Sequence, residues 1–295
     1  MKKVVLIFAV TIASLIGSQS FSQDTLRFGQ FTVSGYAGVL SWSNLSIDSL
    51  HATCAAGARL AGAAVWQPYN WFALKTVVVF DAEINNGSWS MSQFSAIFNP
   101  VKNVTITIGN MCTLVTEQRP SPASAAGQFE TWAMAQIPGI ALCAKVSWQI
   151  HKNWSIGIGV AQRNDHPEYQ ANLKFKRAVV SAFYDRWNES FGAVFTADIW
   201  RFSETFVWRQ KDNVSFHGQP LLNACIVANT LTFSIGPKKD WCLYSDFGYD
   251  LRTNQLIRCE VGALKEFHVW KLKGLLGPGY CYEDRGVKLY GYIHF

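Results

Sequence analysis

The sequence predicts an all-β chain, a transmembrane up-and-down antiparallel β-barrel of about 14 strands, within a range of roughly 12–16. Three observations predict it. Segments of about 9–13 residues alternate apolar and polar side chains along most of the chain, and that length carries a tilted strand across a bilayer. Composition agrees: 16% of the residues are charged, 14% are aromatic and 12 are Trp. Soluble domains usually carry charge nearer 25%, whereas a barrel turns apolar residues to lipid, aromatics to the two interfaces and polar residues to its lumen. The third observation is the tail, where Val287, Leu289, Ile293 and Phe295 share one face of an extended strand and Lys288 and His294 the other. Chain ends usually fray; this one alternates to its last residue.

The first element is not part of the barrel. Met1-Lys2-Lys3 is basic, residues 4–17 are apolar or small, and Ser18-Gln19-Ser20-Phe21-Ser22 offers small residues for cleavage. That order is a secretory signal peptide, assigned to residues 1–22. Its apolar stretch is shorter than the roughly 20 residues a spanning helix needs. Residues 23–295 then form the barrel domain.

Strands are expected at 31–42, 56–66, 71–83, 88–98 and 104–115, then at 140–150, 154–160, 173–184 and 191–200. Further on come 205–209, 224–235, 241–249, 255–265, 268–274 and 287–295. The clearest hairpin joins Ile140, Leu142, Ala144, Val146, Trp148 and Ile150 to Trp154-Ser155-Ile156-Gly157-Ile158-Gly159-Val160 across the turn His151-Lys152-Asn153. Large apolar side chains take one face of each strand and small or polar ones the other. Other turns fall near 67–70, 85–87, 99–103, 236–240 and 252–254, where Gly, Pro and Asn gather. Residues 211–222 match no strand pattern.

With the signal, the long alternating strands, the aromatics and the terminal Phe295 in place, the mature chain resembles a small outer-membrane porin of the Bacteroidetes type. The resemblance rests on pattern over nearly the whole chain and on no diagnostic motif. It implies a passive outer-membrane channel for small polar solutes or ions, without cofactor or metal and without enzymatic activity. It also implies that Leu289, Ile293 and Phe295 form the signal read by the barrel-assembly machinery. Partners would be outer-membrane lipid and permeating solutes. A homo-oligomer would need an apolar outer patch that the sequence does not separate from the lipid face. In porins the loop after the fifth strand folds inward and narrows the pore. Here the strand at 104–115 is followed by Thr116-Glu117-Gln118-Arg119-Pro120-Ser121-Pro122-Ala123-Ser124. Glu117 and Arg119 would set opposite charges across such a constriction.

Strand parity identifies candidate pore-lining charges. Lys145, Lys174, Lys176, Lys271 and Lys273 lie opposite the apolar faces of their strands, as does Arg258 with Glu260. A charge facing lipid at mid-depth costs about 2–4 kcal/mol, so these side chains should point inward or sit near the membrane edges. Lysines in a lumen enrich anions, and mild anion preference follows; Asp81, Asp198, Asp246 and Glu260 also map inward and oppose it.

Other classes find little support. The net charge of +6 forms no run, so nucleic acid is not an expected partner. Seven Cys lie scattered without a C-x-x-C pair, which speaks against a disulfide framework or zinc. Asp165-His166 is the one group suggesting general-base chemistry, but it reads as a polar loop, and the remaining His residues are isolated. A structural or partner-binding barrel without an open pore is the alternative to a channel.

Overall fold

In the computed structural model, residues 26–46, 52–83, 87–115, 140–163, 165–216, 219–237, 240–269, 272–283 and 285–294 are described. Every element among them is a strand. A short β1 (Leu26–Phe28) precedes β2 (Phe31–Ser46), β3 (Ala52–Tyr69), β4 (Phe72–Glu83), β5 (Gly87–Val101) and β6 (Val104–Cys112). There follow β7 (Ile140–His151), β8 (Trp154–Arg163), β9 (His166–Phe175), β10 (Ala178–Asp185) and β11 (Ser190–Ile199). The rest are β12 (Phe202–Phe216), β13 (Gln219–Ile235), β14 (Trp241–Asp250), β15 (Gln255–Val269), β16 (Leu272–Cys281) and β17 (Gly286–His294).

From β2 onward each strand pairs antiparallel with the next, and β17 returns to pair with β2 from Gly286↔Ser46 to His294↔Gly38. The ladder is therefore a ring of sixteen long strands without a free edge, the upper end of the expected range. Closure of this kind gives every long strand a neighbour on both sides, as a bilayer requires. The short β1 pairs with β2 as well, with Leu26 opposite Val33.

Alternation fixes the two faces of the wall. On β10, Val179, Ser181, Phe183 and Asp185 are buried while Val180 is exposed, and β14 repeats this with Cys242, Tyr244, Asp246, Gly248 and Asp250 inside. Ile156, Ile158, Leu142, Val146, Leu173, Leu231, Leu243 and Val261 face outward and are exposed. A wall that is apolar outside and hydroxyl- and charge-bearing inside is the reverse of a soluble core, and its outer band requires lipid. Aromatic pairs border this band. At the rim where β2 starts and β17 ends stand Phe31–Trp66, Tyr69–Trp71, Phe72–Phe98, Trp154–Phe175 and Phe202–Phe233. Lys176, Arg201 and Lys265 lay their cations over Phe175, Trp200 and Trp241 there. The opposite rim carries Tyr184–Phe191 and His166–Trp187. Rings of this type sit where a bilayer meets water.

Several expected boundaries move. The strand read at 173–184 is two, β9 and β10, with a turn at Lys176 and Arg177; Lys176 takes a φ of 51° without being Gly. Lys176 is therefore a turn residue at the rim and not an inward-facing strand residue. The supposed loop around Asp165-His166 is the start of β9, whose His166 pairs with Arg163 across the turn. The strand expected at 268–274 is divided between the end of β15 at Val269 and the start of β16 at Leu272. Residues 211–216 and 219–222 do form strand, because β12 reaches Phe216 and β13 begins at Gln219, with irregular register between Arg209, Asp212 and Val214 masking the period of two. The segment read as strand to Val115 ends at Cys112. The proposed signal, residues 1–22, lies outside the described residues, as does Phe295.

Candidate lumen and its constriction

The lumen is organised by one connection. At the rim bearing the chain ends, turns are short, such as residues 70–71, 102–103, 152–153, 176–177 and 200–201. At the opposite rim, residues 113–139 join β6 to β7, far more chain than any other link. The cause is visible in the ladder. β5 continues through residues 87–93 after its last pairing with β6, Phe94↔Asn110. The β6 strand leaves the wall well below its neighbour's full height, and the chain turns inward.

Its first three residues enter the barrel. Thr113, Leu114 and Val115 are all at most 1% exposed. Leu114 lies over β8, where a Cβ added at Gly157 would meet Leu114 Cδ1 at 2.9 Å. Val115 packs in a cluster with Phe183, Val194, Val207, Ala224, Ile226 and Ala228, drawn from the inner faces of β10, β11, β12 and β13. A residue rooted on β6 thus reaches a wall several strands away. Glycine opens room for this crossing at Gly157 and Gly159, which alternate with outward Ile156 and Ile158.

The wall from β9 to β15 is correspondingly dry. Glu168, Ser181, Thr205, Thr230 and Glu260 are all at most 1% exposed, although they face the barrel interior. Around Arg258 its charges form a connected network. The Arg258 guanidinium donates to Glu260 and lies 3.9 Å from Asp246 Oδ2. Tyr244 donates to Glu260 Oε1 at 2.7 Å, and Thr230 donates to Asp246 Oδ1 at 2.8 Å. Arg258 also donates to Cys281 Sγ at 3.2 Å, whose thiol donates to Glu283 Oε2 at 2.8 Å. Nearby, Arg209 pairs with Asp212 at 2.6 Å and covers the Phe183 ring. Buried charges persist only when paired and hydrogen-bonded, and these are.

The wall from β4 to β6 differs. A cavity of about 210 Å³ opens there, lined by Lys75, Val77, Gln93, Ser95, Ile97, Thr107 and Met111. Lys75 is exposed on this inward face and makes no ion pair among the described residues.

The sequence-derived candidates distribute as follows. Lys145 faces inward on β7 and is buried beside Thr107, its cross-strand partner. Lys174 occupies an inward register position on β9 opposite Val179 and is exposed near the rim. Arg258 faces inward as described, and Lys273 takes an inward register position opposite His268. Asp81, Asp198, Asp246 and Glu260 occupy inward positions too. Leu289 and Ile293 take outward register positions on β17. Glu117, Arg119 and Lys271 lie outside the described residues. Lys75 and the three residues of the loop root were not singled out by sequence; inward parity at Lys75 was the available signal. Among the described residues no group of His, Cys, Asp and Glu is arranged to hold a metal. Asp165, with a φ of 66°, sits in a turn, and His166 packs on Trp187.

No protein-family model matches the chain, and a search of curated proteins finds no match. Solved structures do match. Salmonella typhi OmpF in complex with daunomycin superposes with a TM-score of 0.69 at 10% identity, covering 92% of this chain and 99% of that one. A Rhodopseudomonas blastica porin triple mutant gives 0.59 at 12%, covering 90% and 100%. The in-vitro folded Vibrio cholerae outer-membrane protein OmpT, in a trimer form, gives 0.57 at 12%, covering 90% and 99%. At such identities the likeness shows the fold: this chain has the fold of outer-membrane porins.

Proposed function

We propose that the protein is an outer-membrane porin, a passive channel for small polar solutes or ions. The observation that carries this reading is the loop root of residues 113–115, which leaves the fifth long strand, crosses the lumen and lines the far wall while a polar cavity remains beside β4–β6. A barrel of sixteen strands is wide enough for an aqueous path, unlike one of eight. The path in this reading is eccentric, and Glu117 and Arg119 further along the loop would set the field across it. Residues 1–22 would direct export. The rim with short turns would face the periplasm, and Phe295 with Leu289 and Ile293 would be read by the assembly machinery. Assembly into a homo-oligomer belongs to the same reading, as the Vibrio protein has a trimer form.

Lys75, Lys145, Lys174 and Lys273 on inward positions support a mild anion preference, which Asp81, Asp198 and the net negative group of Arg258 with Asp246 and Glu260 oppose. The test is the refolded protein in a planar bilayer under a salt gradient. Discrete conductance steps with a reversal potential on the anion side are expected; a cation-side potential ends the preference. The dryness of the β9–β15 wall favours a second reading, a structural or partner-binding barrel with a filled lumen. Absence of steps from a heat-modifiable, folded barrel would select it. No catalytic role is proposed.

A further inference from the structure

The register of β4–β6 arranges the cavity wall in rows. One row runs Lys75, Ser95, Gly109; beside it Val77 stands opposite Gln93, with Met111 one residue past the last β5–β6 pair, and Ile97 stands opposite Thr107 on the other side. Donors thus stand among apolar side chains. Gly109 lets β6 lie close against the β5 backbone behind them. Its φ is 150°, and a Cβ there would lie 2.1 Å from the Phe94 carbonyl oxygen, so no other residue fits the wall at this point.

We infer that this wall carries a binding subsite for a small organic anion with a short apolar tail, a short-chain carboxylate in type. The inference rests on the porin reading for access to the lumen. The Lys75 ammonium supplies the charge, and Ser95, Thr107 and Gln93 supply further donors around the carboxylate. Val77, Ile97 and Met111 receive the tail. Among the described residues neither a carboxylate nor an aromatic ring lines the cavity. The volume of about 210 Å³ is below the 300–1,000 Å³ typical of pockets for drug-sized ligands and suits a molecule of a few carbons. Of the other inward cations, Arg258 and Arg209 are spent on carboxylates, Lys145 is buried and Lys174 stands away at the rim.

The experiment is a calorimetric titration of the full barrel, refolded in detergent, with hexanoate, and with hexanol and hexylamine as comparisons. Lys75→Gln, Lys75→Arg and, as a control at the rim, Lys174→Gln are titrated in parallel after each is shown to be heat-modifiable. Saturable hexanoate binding is expected, weakened at least tenfold by Lys75→Gln. Binding by Lys75→Arg and Lys174→Gln should stay within about threefold of the parent, and hexanol and hexylamine should bind more weakly. Non-saturable binding, equal affinity in Lys75→Gln, or hexanol binding as well as hexanoate overturns the subsite. Bilayer recordings separate the two readings. Conductance steps without hexanoate binding leave the channel and remove the subsite; binding without steps leaves the subsite and removes the channel.

Discussion

The inner walls β4–β6 and β9–β15 follow one alternation and end in opposite states. Both present Thr, Ser and charged side chains inward. On β9–β15 the Arg258, Asp246 and Glu260 charges are tied together and largely buried, and on β4–β6 a lysine stands exposed over a cavity. The difference lies in what stands opposite. Val115, carried across the lumen, lies on β10–β13 and leaves β4–β6 open. Polarity along a strand therefore selects the face, and the loop decides whether that face is wet.

The comparison can be broken most severely at Gly109, on the open wall. Gly109→Val must push back the Phe94 carbonyl as well as strain the backbone, and a loss of about 4 kcal/mol or more is expected. The heat-modifiable band on a gel should disappear. On the dry wall, Arg258→Met leaves Asp246 and Glu260 buried with their cation gone and should cost about 3–5 kcal/mol. Adding Glu260→Gln should restore part of it, as read from urea unfolding midpoints; no restoration would separate the two residues energetically. Val115→Asp places a carboxylate in the apolar cluster at a cost of about 2–4 kcal/mol. It should free the loop root and raise single-channel conductance; an unchanged conductance would show that this root does not narrow the path. The smallest effect on stability is expected at Lys75→Glu, within about 0.5 kcal/mol for an exposed side chain. Its reversal potential should nevertheless move toward cations, because the residue lines the open side.

How far the sequence reveals this architecture varies with the residues. Where large apolar and small residues alternate, as in Trp154 to Val160, the strand and its inward face are plain. Lys174-Phe175-Lys176-Arg177 conceals a turn, since no Gly, Pro or Asn marks it and the alternation runs on through it. The irregular pairing between Arg209 and Val214 hides the junction of β12 and β13 by shifting the period. Inward charges are legible by parity, and Arg258 with Glu260 is an example. Lys75 follows the same parity, opposite Phe72, Leu74 and Val78, but its accessibility depends on a segment that begins at residue 113 and crosses to another wall. Long-range placement of that kind leaves no periodic trace in the strand itself.

The pairing of β17 with β2 bears on how such a wall is made. Gly286 and Ser46, like His294 and Gly38, are roughly 250 positions apart, so the last ladder closes across almost the whole chain and is intrinsically slow to form. Until it closes, β2 and β17 each present an unpaired edge able to recruit a strand from another molecule. The interval between synthesis and closure is thus when the chain is most prone to aggregate, and a folding helper would be most effective by shielding those two edges.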